Sequence, residues 1–389
     1  HAHPGIPDPL WSRGLGDVYK RQLTDYTAIE MSARPTGGVW AMGRNEEGQL
    51  GLGAADDDAH PTAAQLGALG SGVVQVAAGE DFSAALTAGG EVYLWGSNIY
   101  GQIANGECST RTSGGETRCE CDACLGQDVA APARVAALGT DTVQLALGDD
   151  HALALKQGGA VYSWGSGWRG RLGLGDTANR LSPTEVTGLG ADNACIAAQG
   201  NGGMALKSDG RLFNWGYSGY GVLGRTGASL AQLVAVGSDN AHVVGGNEHA
   251  LLLKADGSVL SWGSNARGQI GNGECACPYS SQSTCQREGM GGCTGSNQVR
   301  SFVFRSTAFV SLTHSERHRA PPQATPATVS ALPSAAVQIA AGGGLYGGSS
   351  YAMLVDGSVW AWGRNLSLIH ISEPTRPERI GGGGGGGGK

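Results

Sequence analysis

Nine cysteines stand in the 389-residue chain, and eight of them fall in two short stretches: Cys108, Cys119, Cys121 and Cys124, then Cys275, Cys277, Cys285 and Cys293. An even number within each stretch is the pattern of a loop stapled by two disulfides, which belongs to an oxidising compartment, extracellular or periplasmic. Zinc is the rival. The first stretch, C-x-C-x-x-C preceded by Cys108, offers four thiolates, the donor set of a structural zinc site. The second, C-x-C-x7-C-x7-C, fits a metal less well, and free thiols remain a third reading of both. Cys195 lies apart, in an apolar run, and reads as a core thiol.

His151 and His249 each stand three residues after a glycine, Gly148 and Gly246, in matching contexts. A histidine that recurs with a repeat is expected to bond a neighbouring loop rather than to move a proton. Asp149 and Asp150, and the run Asp56, Asp57, Asp58, offer carboxylates to a cation, but solvated loop charges account for them equally well. Residues 165–170 match G-x-G-x-x-G. The segment that follows opens no helix, so no helix N-terminus meets a pyrophosphate, and the match reads as a variant of a repeated loop. No P-loop, H-E-x-x-H or G-x-S-x-G occurs. No catalytic residue, metal site or cofactor is therefore expected.

A repeated unit must position all of these residues. Residues 258–273 read S-V-L-S-W-G-S-N-A-R-G-Q-I-G-N-G, and versions of this string return throughout. The pairs Trp95-Gly96, Trp164-Gly165, Trp215-Gly216, Trp262-Gly263 and Trp362-Gly363 mark the frame, with Met42-Gly43 as an earlier variant. Before each Trp-Gly come two short apolar runs and a turn: Gly89-Gly90, Gly158-Gly159, Asp209-Gly210, Asp256-Gly257 or Asp356-Gly357. Such dipeptides predict two-residue hairpins with positive φ at both central positions. A period near fifty residues with about four strands per unit predicts an array of small sheets.

This frame resembles the repeat of the regulator of chromosome condensation family, over about residues 38–365. The resemblance implies an all-β propeller of four-stranded blades, seven in a complete ring. Four full units and two halves are countable, an arc of about five blades' worth. In such a ring Trp closes the gap between blades, its Gly admits a close backbone, and the Leu or Ile of G-Q-L-G plugs the next blade. The spacing widens after Gly96 and after Gly263, which locates Cys-rich insertions at about 107–127 and 274–323. Residues 300–319 match no part of the repeat and read as a surface loop or an intron translated in frame. Gly167, Trp168 and Arg169 also resemble the start of a Gly-Trp-Arg-His-Thr motif of light-sensing members, but Gly170 departs from it.

Aromatic residues at 6%, charged residues at 15% and no long apolar run exclude a membrane-spanning helix. A formal net charge of -7 without a Lys/Arg cluster argues against nucleic acid as a partner. Most of the 68 glycines follow the repeat period, so they mark turns rather than disorder. Residues 12–22 back-translate to a string that resembles a transposon-end sequencing adapter, and residues 366–376 to its reverse complement. Residues 1–22 and 366–389 are accordingly read as adapter-derived, outside a propeller of residues 23–365.

Three functions compete on this reading. The first is a non-catalytic module, monomeric when its ring is complete, that binds an unidentified protein through blade loops. The second is guanine nucleotide exchange on a small GTPase, and the third a secreted propeller that binds or inhibits an enzyme.

Overall fold

The computed structural model describes residues 27–31, 38–70, 72–113, 116–118, 126–224, 230–265, 268–271, 301–302, 311–312, 323–329, 332–344 and 347–363. Besides two short two-stranded pairings, Arg111–Ser113 with Glu116–Arg118 and Ser301–Phe302 with Ser311–Leu312, they form six successive antiparallel meanders, taken below as the first to sixth sheets. The first has three strands, Thr27–Met31, Val39–Asn45 and Asp56–Leu66. Four whole sheets follow. They consist of Val73–Ala78, Phe82–Thr87, Val92–Gly96 and Val129–Arg134; Thr142–Leu147, His151–Lys156, Val161–Gly165 and Arg180–Glu185; Asn193–Gln199, Gly202–Lys207, Leu212–Gly216 and Ala231–Gln232; and Asn240–Gly245, His249–Lys254, Val259–Gly263 and Gln323–Thr328. The sixth again has three strands, Ala336–Gly344, Gly347–Leu354 and Val359–Gly363. From the second sheet to the sixth, the first strands of successive sheets touch one another and so line the inside of a propeller arc.

The second strand of each whole sheet is buried along nearly its whole length, as in Phe82–Thr87 and His151–Lys156. Both of its faces are covered by neighbouring blades, so alternation gives way to a continuous small apolar run. Leu50 illustrates the contact between blades: it clusters with Val39 and Ala41 of its own sheet and with Ala85 and Trp95 of the next. Ile103 does the same against Trp164. Trp95, Trp164, Trp215 and Trp262 are fully buried. Each indole N–H donates to a backbone carbonyl of the preceding blade at 2.9 Å: Trp95 to Gln49, Trp164 to Gln102, Trp215 to Arg171, Trp262 to Val222 and Trp362 to Gln269. The indole thus fills the gap with its rings and registers the two blades with its one donor. The glycine after it has φ near +100°, and a Cβ there meets the start of the second strand, 2.5 Å from the Asp150 carbonyl at Gly165.

The hairpins between second and third strands correct one expectation. Positive φ occurs at one residue per turn, Gly90, Gly159, Gly210, Gly257 and Gly357, while Gly89, Gly158, Asp209, Asp256 and Asp356 keep ordinary values. Gly159 N–H donates to Lys156 O at 2.8 Å and Lys156 N–H to Ala160 O at 2.9 Å. That pattern is a type I turn closed by a left-handed glycine, a three-residue connection rather than the two-residue mirror-image turn. The dipeptide still marks the hairpin because only its second position needs glycine.

An internal brace that the sequence did not single out repeats in three sheets. Lys156, Lys207 and Lys254 end their strands with the ammonium group on Leu138 O, Leu189 O and Val236 O, and on the carboxylates of Asp141, Asp192 and Asp239. The ammonium holds each of these three carboxyls below the usual range. Backbone acceptor and counter-ion together satisfy an otherwise costly buried amine.

Candidate functional site

In a four-stranded meander the turn between strands one and two shares an end with the loop between strands three and four. The loops carrying G-x-L-G, both Cys-rich insertions and the first turns therefore leave the sheets from one end. At the inner edge of that end the first turns are chained by backbone bonds. Glu80 N–H donates to Asp149 O at 3.2 Å, Asp149 N–H to Gly200 O at 3.1 Å, and Gly200 N–H to Asn247 O at 3.2 Å.

The chain of turns carries an acidic rim. Burial first, then the charges of Glu80 and Asp150, push the Asp149 carboxyl up to about 7 against the opposing pull of Arg171, with Glu248 adding a further push. Burial likewise raises Glu248. Asp150 is paired with Arg171 at 3.1 Å, Arg171 also donates to Asn201 Oδ1 at 2.6 Å, and Asp81 is paired with Arg44. Among the described residues no group of three or more His, Cys, Asp or Glu side chains has the arrangement of a metal site. The rim is a set of interlocked pairs around one carboxyl that holds its proton near neutrality.

The histidines lie under this rim. His151 Nε2 bonds Gly202 O of the next sheet at 3.1 Å and His249 Nε2 bonds Ser350 Oγ at 2.9 Å. Because the Ser350 hydroxyl donates to Gln269 O at 2.8 Å, His249 Nε2 must be the donor to it. Both Nδ1 atoms are buried without a partner. Burial pushes His151 down to about 3 and His249 to about 4. These are neutral structural rings that tie one blade to the next, as their recurrence implied.

The outer part of the same end departs from the repeat. In the first two sheets Gln49 and Gln102 fold back so that Oε1 accepts the amide of Glu47 at 3.0 Å and of Tyr100 at 2.8 Å. Arg171 stands in that place in the third sheet, and a guanidinium has no acceptor to give. There the matching residue, Arg169, takes φ 59° and ψ 18°, one of two non-glycine residues with positive φ among those described. Its guanidinium lies 3.8 Å from the ring centre of Trp168 and 3.8 Å from that of Tyr217. Tyr217 follows Trp215-Gly216 where Ser97, Ser166 and Ser264 follow the other pairs. Trp168 is half-exposed and Arg169 exposed, beside a groove of about 500 Å³.

The remaining residues singled out by sequence fall as follows. Cys195 is free and buried, 3.4 Å from His242 Nδ1, and burial raises its thiol. Of the eight loop cysteines Cys108 alone is described, and it is fully buried. Cys119, Cys121, Cys124, Cys275, Cys277, Cys285 and Cys293 lie outside the described residues, as do both supposed adapter segments. Asp56 starts a strand and accepts from Asn45 Nδ2 and His60 Nε2, each at 2.8 Å, which is a local brace. Trp168–Gly170 is a single 3-10 turn, so the G-x-G-x-x-G match is a repeat loop.

Known proteins share both the pattern and the fold. The family model described as Regulator of chromosome condensation (RCC1) repeat matches residues 36–86, 89–155 and 158–202, and a second model of the same description matches 73–102, 142–170 and 241–269. The ultraviolet-B receptor UVR8 of Arabidopsis thaliana is 37% identical over 48% of this chain and 39% of its own length. The secretion-regulating guanine nucleotide exchange factor of Bos taurus is 32% identical over 56% of this chain and 48% of its own. The chain thus spans less than half the length of these curated relatives. Among solved structures, Prp20p from Saccharomyces cerevisiae superposes with a TM-score of 0.60 at 21% identity, covering 87% of this chain and 69% of that one. Human WBSCR16 gives 0.59 at 21% identity, covering 87% and 70%. With the Trp-Gly register, the blade-to-blade indole bonds and these matches in agreement, the chain belongs to the regulator of chromosome condensation repeat family, and its fold is that family's β-propeller.

Proposed function

We propose that this chain is a non-catalytic protein-interaction propeller that engages its partner through the loops of one end. The observation that carries the reading is where the repeat is broken. Arg171, Trp168, Arg169 and Tyr217, none of them demanded by the blade, gather on the end from which both insertions depart. The buried histidines and lysines, by contrast, are consumed in holding blades together. A yeast RCC1 propeller of this fold has been solved bound to Kap60, which supports protein binding by such a scaffold.

The test places photo-crosslinking residues at exposed positions of the two ends and maps what they capture in the source extract. Crosslinks from Glu46 and Asn105 on the loop end, and none from Asp209 and Asp256 on the other, are expected. Capture from Asp209 and Asp256 alone overturns the reading. The relative that is an exchange factor favours a second reading, exchange on a small GTPase. Release of labelled nucleotide from a GTPase panel tests it, and an unchanged rate across the panel removes it.

A further inference from the structure

We infer that the Trp168–Arg169–Tyr217 stack is a binding site for an acidic side chain, Asp or Glu, of a partner peptide whose apolar neighbour enters the adjoining groove. The inference rests on the interaction-module reading and gives that module a ligand chemistry. Both faces of the Arg169 guanidinium are covered by aromatic rings at 3.8 Å. Only its edge, where the N–H donors point, is open to an incoming group. Among the described residues Arg169 makes no hydrogen bond and no ion pair, whereas Arg171 beside it is consumed by Asp150, Asn201 and Trp168 O.

A guanidinium clamped flat with its edge outward presents the fork that a planar carboxylate accepts with two parallel bonds. Stacking also fixes a side chain whose rotamer freedom would otherwise be lost on binding. The groove runs from Arg169 past Gly173 and Tyr217 to Leu230, so an apolar side chain next to the acid has a surface to cover. Asp176, on the groove wall, is held by Arg180 at 2.7 Å and keeps its charge. One carboxylate on Arg169 tolerates that neighbour better than a phosphate dianion does. A net charge of -7 and the acidic rim weigh in the same direction against nucleic acid.

The backbone supplies an independent argument. Arg169 occupies a left-handed conformation that glycine adopts without cost. A residue that served only the turn would gain nothing by being arginine. Arg169→Gly therefore separates the two roles: it relieves the backbone while removing the fork.

The test uses the full chain and the acetylated, amidated peptide Gly-Leu-Glu-Glu-Leu-Gly, with Gln-for-Glu and phosphoserine-for-Glu counterparts. Binding is read from the Trp168 indole NMR signal, assigned with Trp168→Phe. The Glu peptide is expected to shift that signal saturably and the Gln peptide to leave it still. Arg169→Gln and Arg169→Gly should weaken Glu-peptide binding at least about tenfold, and Arg169→Lys about fivefold, since an ammonium lacks the fork. Arg169→Gly should melt within about 2 °C of the parent or above it. Equal binding by Arg169→Gln, tighter binding of the phosphoserine peptide, or no binding of the Glu peptide overturns the proposal. If that happens while Glu46 and Asn105 still crosslink a partner, the module reading stands and only this site fails.

Discussion

His249 donates from Nε2 to the Ser350 hydroxyl at 2.9 Å, and that hydroxyl donates onward to the Gln269 carbonyl, which also receives the Trp362 indole N–H. One imidazole therefore anchors the junction between the fifth and sixth sheets. A second proton has nowhere to go, because Nδ1 is buried and unpartnered. The folded values of about 3 for His151 and about 4 for His249 lie below the ordinary 6.5. Between pH 6.5 and 4 the unfolded chain then binds more protons, and stability falls with falling pH, by roughly 1 kcal/mol per pH unit for each ring. Urea midpoints measured from pH 7.5 to 4.5 should drop, and His151→Gln should flatten that slope. A slope unchanged in the variant contradicts the neutral, buried assignment.

Asp149 acts in the opposite sense. Its folded value of about 7 stands above the ordinary 3.8, so between those limits the folded chain binds the extra proton. Stability from this group is present at low pH and is lost as pH rises through 7. Asp149→Asn should leave stability at pH 5 nearly unchanged and raise it at pH 8. A variant less stable than the parent at pH 8 shows that the ionised carboxylate is needed by Asn201 or Arg171.

The indole bonds predict a ranking that packing alone does not. Trp262 shares its acceptor, Val222 O, with Gln199 Nε2 at 3.0 Å. Among the described residues Gln102 O takes no donor besides Trp164. Phenylalanine at either position fills a similar gap, but only at Trp164 does it strand a buried carbonyl. Trp164→Phe should cost about 1 kcal/mol more than Trp262→Phe, and Trp262→Ala about 3 to 5 kcal/mol. Equal melting of the two Phe variants excludes any energetic role for the indole donor.

The blade register was legible because five Trp-Gly pairs and five turn glycines recur in one frame, the pairs held by contacts between and within blades and the turn glycines by a positive φ. The role of His151 and His249 was legible for the same reason. The Lys-Asp brace was not read, although its signal recurs: Asp141, Asp192 and Asp239 each follow a glycine by two positions, fifteen residues before their lysines. Solvent-facing loop acids carry no such partner as a rule, so recurrence was the one clue. The aromatic stack needs two unrelated departures, Arg171 in a glutamine place and Tyr217 in a serine place. Neither residue is unusual alone, and only the fold brings them within reach of Trp168.

Arg171 is the hinge of that arrangement, and restoring the repeat should undo it. Arg171→Gln supplies the side-chain oxygen that Gln49 and Gln102 present to the turn amide. Arg169 can then leave φ 59° for the ordinary turn geometry, which withdraws its guanidinium from Tyr217. The same change removes the cation paired with Asp150 at 3.1 Å, and with it the interaction that lowers Asp149. Two shifts are therefore expected together: the Trp168 indole resonance moves as the stack opens, and the Asp149 carboxyl titrates at higher pH. Both are visible by pH-resolved NMR of the Trp168 indole and the Asp149 side chain. An intact stack with an unmoved Asp149 means that Tyr217, rather than the missing glutamine, dictates the turn.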